Sequence, residues 1–442
     1  MPVASAPRSP PRTIDALVRR HAEDAAFYWT QLDAAAMSPR IGLEGIARFQ
    51  GLLGAHLDGL FVAGESGQLA AFKALDRWMK PGEAYVAAWL SLRRDDAAAL
   101  AAVMQLVARQ PAVLLRGLIG ALACLPADAA SRSLRMLSGA PDNEIAQVAA
   151  LRAAALCGAN GVRSLAQPLS HYLRSSSMHV AAAACRAASV VPGDETSMLL
   201  QGLLGARGTP GIPGAAGAWA APVRAEAAIA LHAGRRATGG PATAALWQSI
   251  ASQASVLSSA TGWERRQAQR RLNRWVRCFG WMAPHGHGNL PGLFEFLPPR
   301  LGLGFALSHG DPAHLPYVVR QMAQPESAAY AGWVWQTLTG LPLPARASPL
   351  TREGAVSAAL DGDDTLPLPD IAAVNAVHVD APTGGRILLG QPLTVELAHR
   401  LLADGTAVEL HALASTALYF LQPGHAQARV GFHTLRRTPP SP

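Results

Sequence analysis

The sequence predicts an all-α protein: an α-solenoid of helical hairpins with an N-terminal helical cap and a small C-terminal module. Three observations predict this class. The middle of the chain repeats one hydrophobic pattern, turn residues recur at matching places, and the length of 442 residues exceeds that of an ordinary single domain. Half of the residues are hydrophobic and only 15% are charged, as in a packed chain.

The repeat is clearest when residues 151–170 are set against residues 185–204, an offset of 34 positions. Several residues then fall opposite identical residues, which chance seldom produces. The matched pairs are Arg152 with Arg186, Ala153 with Ala187, Ala154 with Ala188, Leu165 with Leu199, Gln167 with Gln201 and Leu169 with Leu203.

Turn residues also recur at one place in the two units. Gly158 and Asn160 fall opposite Pro192 and Asp194, so each unit is predicted to be a helix, a short turn and a second helix. A unit of this length buries its apolar face only when neighbouring units stack on it, and such stacking predicts a solenoid. Small residues in the first helix and leucines in the second are typical of HEAT-like repeats. An ordinary bundle of similar Ala-rich helices is the alternative.

The helical spacing of apolar residues extends the prediction to the N-terminal cap. It predicts helices over residues 14–37 and 41–60, and further helices beginning near Glu65, Pro81 and Asp95.

The C-terminal module is predicted to contain a helix capped by Thr394 and stopped near Gly405, a second helix ended by Pro423, and a short strand over residues 428–434. The predicted segments are a disordered tail (1–12), the cap (13–110), the HEAT-like solenoid (111–340) with a Gly/Pro-rich insertion (205–222), a linker (341–370) and the module (371–442).

The composition also indicates the cellular compartment of the protein. The four cysteines lack CxxC spacing, so we expect buried thiols in a reducing compartment. The N-terminus shows no apolar signal segment. The charge-free run 237–263 is long enough to span a membrane, but its glycines, glutamines and serines make it too polar. We therefore expect a cytoplasmic protein that does not enter a membrane.

Four stretches carry a family resemblance: RRHAEDAAFYW (19–29), HLDGLFVAGESG (56–67), the acidic stretch ending in LPLPD (361–370) and LLGQPLT (388–394). With them the chain resembles a group of uncharacterised bacterial HEAT-like repeat proteins that are often encoded near type VI secretion genes. The resemblance spans nearly the whole chain. It implies a cytoplasmic accessory, either an adaptor or chaperone for a secreted effector or an immunity protein that neutralises one. No catalytic residues are established for this group, so none can be assigned to this chain from the resemblance.

No catalytic motif is recognisable in the sequence. Neither Lys73 nor Lys80 follows the glycine pattern of a phosphate-binding loop. The stretch GLGFAL (302–307) lacks the third glycine of a dinucleotide-binding turn, and GESG (64–67) is one residue short of a nucleophile elbow. We therefore expect a protein without enzymatic activity or cofactor.

Four histidines deserve a test as metal ligands. His285 and His287 stand in the loop PHGHG, and His309 and His314 follow later in the chain. Imidazole is a common zinc ligand, but no HExxH motif or cysteine pair nearby completes a site. We therefore expect no metal site.

The strongest local charge feature is the arginine-rich stretch 263–277. On a helix, Arg266, Arg270, Arg274 and Arg277 fall at spacings of four, four and three, so they form one basic stripe. The planar guanidinium suits carboxylates and phosphates alike. The alternative is a solvated helix face without a partner.

Among possible partners of the stripe, an acidic protein surface is favoured over nucleic acid. A nucleic-acid groove recruits basic residues from several repeats, and no second stripe of this density is visible, although the net charge is +8. Trp219 in the Gly/Pro-rich insertion is a further candidate for partner binding, with docking onto its own solenoid as the alternative.

The function predicted from the sequence is a non-catalytic protein-interaction scaffold. Its expected partner is another protein, such as a secreted effector or a spike component. Binding of nucleic acid or another polyanion through the arginine stripe is the alternative, and an enzyme with an unrecognised site ranks below it.

Overall fold

The structure is a computed structural model that describes residues 13–35, 38–191, 193–204, 221–235, 240–346, 366–380, 382, 384–404 and 407–421. Within these residues the chain forms twenty-one α-helices, one 3₁₀ turn and one pair of two-residue strands. The all-α prediction is therefore confirmed. The predicted tail 1–12, Trp219, the strand 428–434, and most of the insertion 205–222 and of the linker 341–370 lie outside the described residues.

Five helices form in the region of the predicted cap. They are α1 (Asp15–Ala35), α2 (Leu43–Val62), α3 (Glu65–Trp78), α4 (Pro81–Arg93) and α5 (Ala97–Arg109). The predicted starts at Glu65 and Pro81 are confirmed. The fifth helix starts later than Asp95 because Asp96 caps it and accepts a hydrogen bond from the Ala99 N–H at 2.9 Å.

Thirteen helices follow in the region of the predicted repeats. They are α6 (Pro111–Ala123), α7 (Ala127–Ser138), α8 (Glu144–Arg163), α9 (Leu169–Leu173), α10 (Met178–Ala188), α11 (Asp194–Leu204), α12 (Ala221–Arg235), α13 (Gly240–Ser259), α14 (Gly262–Met282), α15 (Leu290–Phe296), α16 (Pro299–His309), α17 (Leu315–Gln321) and α18 (Ala328–Thr339), with the 3₁₀ turn at Pro312–His314. The C-terminal module contains α19 (Ile371–Ala376), the antiparallel strands β1 (Ile387–Leu388) and β2 (Gln391–Pro392), α20 (Val395–Ala403) and α21 (Val408–Leu421).

Nine helices pack in one continuous row. Each member contacts the next in the order α1, α4, α6, α8, α10, α12, α14, α16 and α18. Helix α14 also contacts α6, so the row curves back on itself between them. Stacked hairpins would produce such an order, and the assignment to HEAT-like repeats stays a prediction.

The repeat unit departs from the predicted hairpin at one place. Helix α8 breaks at the predicted turn, where Gly158 has a φ of 74°, but helical backbone resumes and ends at Arg163. The second helix of the unit is then reduced to the short α9. Pro168 precedes it, and a proline has no N–H with which to continue a helical ladder.

The C-terminal module joins distant parts of the chain. The N–H of Val408, at the start of α21, donates to the carbonyl of Ile41 at 2.9 Å, beside the start of α2. At the other end of α21, the Tyr419 hydroxyl donates to the carbonyl of Ala233 at 2.6 Å, on α12. The module therefore connects the N-terminal helices with the middle of the row.

Helix α8 is the one helix among the described residues whose length and composition would allow it to cross a membrane. Most of its apolar window is buried inside the protein, and it carries Arg152 near its centre. A core helix passes the same test, so this helix gives weak evidence for a membrane span. The predicted burial of the cysteines is confirmed for Cys124, Cys157 and Cys185, whereas Cys278 is half-buried.

Candidate functional site

The predicted arginine stripe lies on α14, and its four members have different surroundings. Arg266 is exposed. Arg270 is 48% exposed, and its Nη2 lies 3.9 Å from the Oδ2 atom of Asp33 on α1. Arg274 and Arg277 point inward and pair with carboxylates. Only the N-terminal half of the stripe is therefore open to solvent, and partner binding by the four arginines stays a prediction.

Arg274 forms a forked ion pair with the buried Glu226 of α12. Its Nη2 and Nε atoms lie 3.0 and 3.2 Å from the two carboxylate oxygens. The indole N–H of Trp275 donates to the same carboxylate at 3.2 Å. Burial alone would raise the pKa of Glu226, but Arg274 and Arg186 outweigh it and lower the pKa to about 2. Glu226 is therefore ionised and already has a partner.

Arg277 pairs with Glu409, which stands at the start of α21 and is fully buried. The Tyr330 hydroxyl donates to the same carboxylate at 2.7 Å. Burial by itself would lower the pKa of Arg277, but the charge of Glu409 outweighs it and raises the pKa. This arginine therefore fastens the C-terminal module and is not free at the surface.

A cavity of about 460 Å³ opens between α14 and the facing helices of the row. Arg116 of α6, Arg152 of α8 and Arg186 of α10 line it, so three successive helices of the row each supply one arginine. Helix α14 adds Arg270, Arg271 and Arg274 from the opposite side. We call these six residues the arginine cavity.

Acidic groups neutralise only part of the arginine cavity. The guanidinium of Arg116 donates to Asp33, with Nε 2.6 Å from Oδ2, and Arg274 pairs with Glu226. Glu144 is the only other acidic residue of the described chain that lines the cavity, and it is exposed at the rim. Two buried or half-buried carboxylates therefore face six guanidinium groups.

Arg152, Arg186 and Arg271 have no carboxylate within ion-pair distance among the described residues. The Nε atom of Arg152 is buried without a hydrogen-bond partner in the same part of the chain. Burial, followed by the charges of neighbouring arginines, lowers the pKa of Arg152 to about 9. The same causes lower the pKa of Arg186 to about 10. These shifts mean that both cations are held at a cost in free energy.

The cavity wall also offers apolar contacts. Leu115, Ile145, Val148 and Trp263 line it beside the arginines. Its volume lies in the range of sites for small ligands or a few side chains, on the order of 300–1,000 Å³. The cavity therefore combines cationic and apolar groups in a volume that an anion with an apolar part would fit, and its described residues include no nucleophile paired with a general base.

The inward arginines were not predicted from the sequence, although a signal was present. Arg152 and Arg186 are aligned by the repeat, and Arg116 precedes Arg152 by a similar interval of 36 positions. A charged residue at the same position of successive units lines one face of a stack. These arginines lie far apart in sequence, but they line one cavity together with Arg270 and Arg274 of the stripe.

A cluster of three histidines and one aspartate lies near the C-terminal ends of α14 and α16. His285 Nδ1 is 3.3 Å from Asp311 Oδ2, and the rings of His285 and His309 stack with centres 4.5 Å apart. His309 Nδ1 lies 2.9 Å from His314 Nε2. Burial lowers the pKa of His309 to about 3 and that of His314 to about 4, so both rings are neutral. His287 is exposed in the loop.

Comparison of the chain with models of known protein families, with curated proteins and with solved structures finds no match.

Proposed function

We propose that this protein is a non-catalytic binding protein whose arginine cavity holds an acidic segment of a partner protein. The observation that supports the proposal is that Arg152, Arg186 and Arg271 share a partly closed cavity without a carboxylate at ion-pair distance among the described residues. Unpaired buried charge is unfavourable in the free protein, and a carboxylate from outside would relieve that cost. Perturbed ionisable groups in a cleft are typical of functional sites.

The shape and lining of the cavity favour a protein segment over nucleic acid. A volume of about 460 Å³ admits a few side chains and excludes a duplex. Leu115, Ile145 and Val148 would contact the aliphatic part of an acidic peptide, whereas a nucleic-acid groove relies on phosphate contacts along an extended track. Binding of a phosphorylated polyanion remains the alternative function, because arginine suits phosphate equally well.

The cellular role that we propose is that of a cytoplasmic type VI secretion accessory built on HEAT-like repeats. Its support is the family resemblance together with the continuous row of helices. An adaptor would bind an effector or spike component without inhibiting it and would be required for its export. An immunity protein would instead form a tight complex with a co-encoded toxin and abolish its activity. Affinity purification from the native host, followed by a toxicity-rescue assay with the recovered partner, distinguishes these roles.

The proposed acidic partner is tested with a defined probe. We expect fluorescein-labelled hexaglutamate to bind the full chain, with an affinity that falls as salt is added, and hexaglutamine not to bind. Arg152→Met and Arg186→Met should each weaken binding by about 10-fold to 100-fold, because a charge-assisted hydrogen bond contributes about 1.5–3 kcal/mol. Fluorescence anisotropy measures the affinity of the peptide for the unchanged chain and for each variant. Arg48→Gln, which removes an exposed arginine of α2, is the matched control and should leave binding unchanged.

Two results would overturn the proposal. If hexathymidylate bound more tightly than hexaglutamate and lost its affinity in the same variants, the cavity would be a phosphate site. If hexaglutamate bound the Arg152→Met and Arg186→Met variants as tightly as the unchanged chain, the acidic segment would not occupy this cavity.

A further inference from the structure

We propose that His285, His309 and Asp311 form a binding site for one divalent transition-metal ion. The three residues lie in two loops and at one helix end, and none of them lines the arginine cavity. One ligand atom from each lies within 4.8 Å of the others. This inference is independent of the proposed function.

A bound ion would take the place of the 3.3 Å contact between His285 Nδ1 and Asp311 Oδ2 and would give His309 Nε2 a partner. His309 Nε2 is buried and has no hydrogen-bond partner among the described residues. Asp311 uses Oδ1 to accept a hydrogen bond from the Ala313 N–H at 2.9 Å, as the cap of the 3₁₀ turn, so Oδ2 is left to face His285. The side chain of His285 is 30% exposed, so an ion can enter from solvent.

A second layer of contacts orients these ligands. His309 Nδ1 lies 2.9 Å from His314 Nε2, so His314 holds the ring and leaves Nε2 of His309 without a hydrogen-bond partner among the described residues. Ligating histidines are commonly held in this way through their second ring nitrogen. His309 itself ends α16 and Asp311 begins the next turn, so the backbone places both groups rigidly.

His285 supplies the adaptable part of the site. It lies between α14 and α15 and is followed by Gly286, whose φ is 69°. Its ring stacks on that of His309 with an angle of 28° between the planes, so one rotation of the His285 side chain is needed before both nitrogens aim at one ion. The two glycines of the loop, Gly286 and Gly288, allow its backbone to adjust as the side chain turns.

The ligand chemistry selects the kind of ion. Two imidazoles and one carboxylate suit zinc and other borderline metals, whereas calcium and magnesium prefer oxygen ligands alone. Three protein ligands leave at least one position for water. Arg386 is a neighbouring cation, and its guanidinium donates to the backbone carbonyls of Gly280, Ser308 and His309. Its charge opposes that of the ion and should limit the affinity.

A bound ion would tie the C-terminal module more firmly to the row. The site lies beside the N–H of Ile387 in β1, which donates to the carbonyl of Gly310 at 2.8 Å. Gly310 stands between two of the ligands, His309 and Asp311. Metal binding should therefore raise the thermal stability of the full chain.

The test uses the full chain, treated with a chelator, dialysed, and titrated with cobalt(II) and then with zinc(II). We expect one equivalent of cobalt to bind with visible d–d bands and without a thiolate charge-transfer band, and zinc to displace it. His285→Ala and Asp311→Asn should each weaken binding at least 10-fold. Asp311→Asn retains a capping oxygen, so it separates loss of a ligand from loss of fold. His314→Gln should weaken binding about 10-fold through the orientation of His309.

The control is His378→Ala, which removes an exposed histidine of the C-terminal module. This variant should bind cobalt with the affinity of the unchanged chain. The proposal is wrong if neither cobalt nor zinc binds at one equivalent. It is also wrong if the His285→Ala and Asp311→Asn variants, shown to be folded by circular dichroism, keep the original affinity. Arg152→Met should leave metal binding intact, which keeps this test separate from that of the arginine cavity.

Discussion

Replacing Arg152 and Arg186 together by methionine is expected to make the unliganded protein more stable. Each arginine is a half-buried cation without a carboxylate at ion-pair distance among the described residues, and partial burial lowers both pKa values. Methionine keeps an unbranched apolar stem of similar length while removing the charge. Relief of unpaired charge should raise the free energy of unfolding by about 1–2 kcal/mol for each substitution.

The measurement is thermal unfolding with and without hexaglutamate. The double variant should unfold at a higher temperature than the unchanged chain when no peptide is present. The peptide should stabilise the unchanged chain and leave the variant unaffected, because a ligand shifts stability only where it binds. The control variant Arg48→Gln should unfold at the same temperature as the unchanged chain, both with and without the peptide. A double variant that is less stable than the unchanged chain would show that the arginines serve to hold the fold.

This prediction follows from a conflict between stability and binding. Most buried charges that serve the fold are paired, as Arg274 is with Glu226 and Arg277 with Glu409. Arg152 and Arg186 differ from those two in having no carboxylate at ion-pair distance among the described residues, although they line the same cavity as Arg274. Groups that are unfavourable in the free protein are a feature of sites that await a ligand.

Local sequence signals predicted the helices well. Thr394 was expected to cap a helix, and its hydroxyl accepts a hydrogen bond from the Leu397 N–H at 3.2 Å. Glu65 and Pro81 begin helices as expected. Such signals are short-range, since a cap or a proline acts within one turn. Individual helices could therefore be predicted from the chain, whereas their grouping into HEAT-like hairpins stays a prediction.

The contacts that build the sites could not be predicted in the same way. Arg277 and Glu409 are 132 positions apart, and no local pattern relates an arginine of α14 to the first turn of α21. His285 gained its carboxylate neighbour, Asp311, only when the ends of α14 and α16 met. Burial also reversed one expectation, because half of the arginine stripe faces inward instead of toward solvent. Tertiary packing sets these features, and periodicity alone carries no information on them.

The buried pair of Arg277 and Glu409 predicts the largest loss of stability. Glu409→Ala removes a fully buried carboxylate and leaves Arg277 charged, with the Tyr330 hydroxyl also deprived of its acceptor. Breaking a buried ion pair from one side costs about 3–5 kcal/mol. Because α21 connects the N-terminal helices with α12 and α14, we expect the C-terminal module to detach before the rest of the chain unfolds.

Limited proteolysis and hydrogen exchange measure this detachment directly, and chemical denaturation gives the loss of stability. The control is Glu326→Ala, which removes an exposed carboxylate. Its free energy of unfolding should differ from that of the unchanged chain by no more than about 0.5 kcal/mol. Glu409→Gln should lose less stability than Glu409→Ala, because the amide oxygen of glutamine can still accept the hydrogen bond from the Tyr330 hydroxyl. The double variant Arg277→Met with Glu409→Leu should recover more than half of the loss, since an apolar pair leaves no unpaired charge. If the double variant were as unstable as Glu409→Ala, lost packing and not unpaired charge would explain the effect.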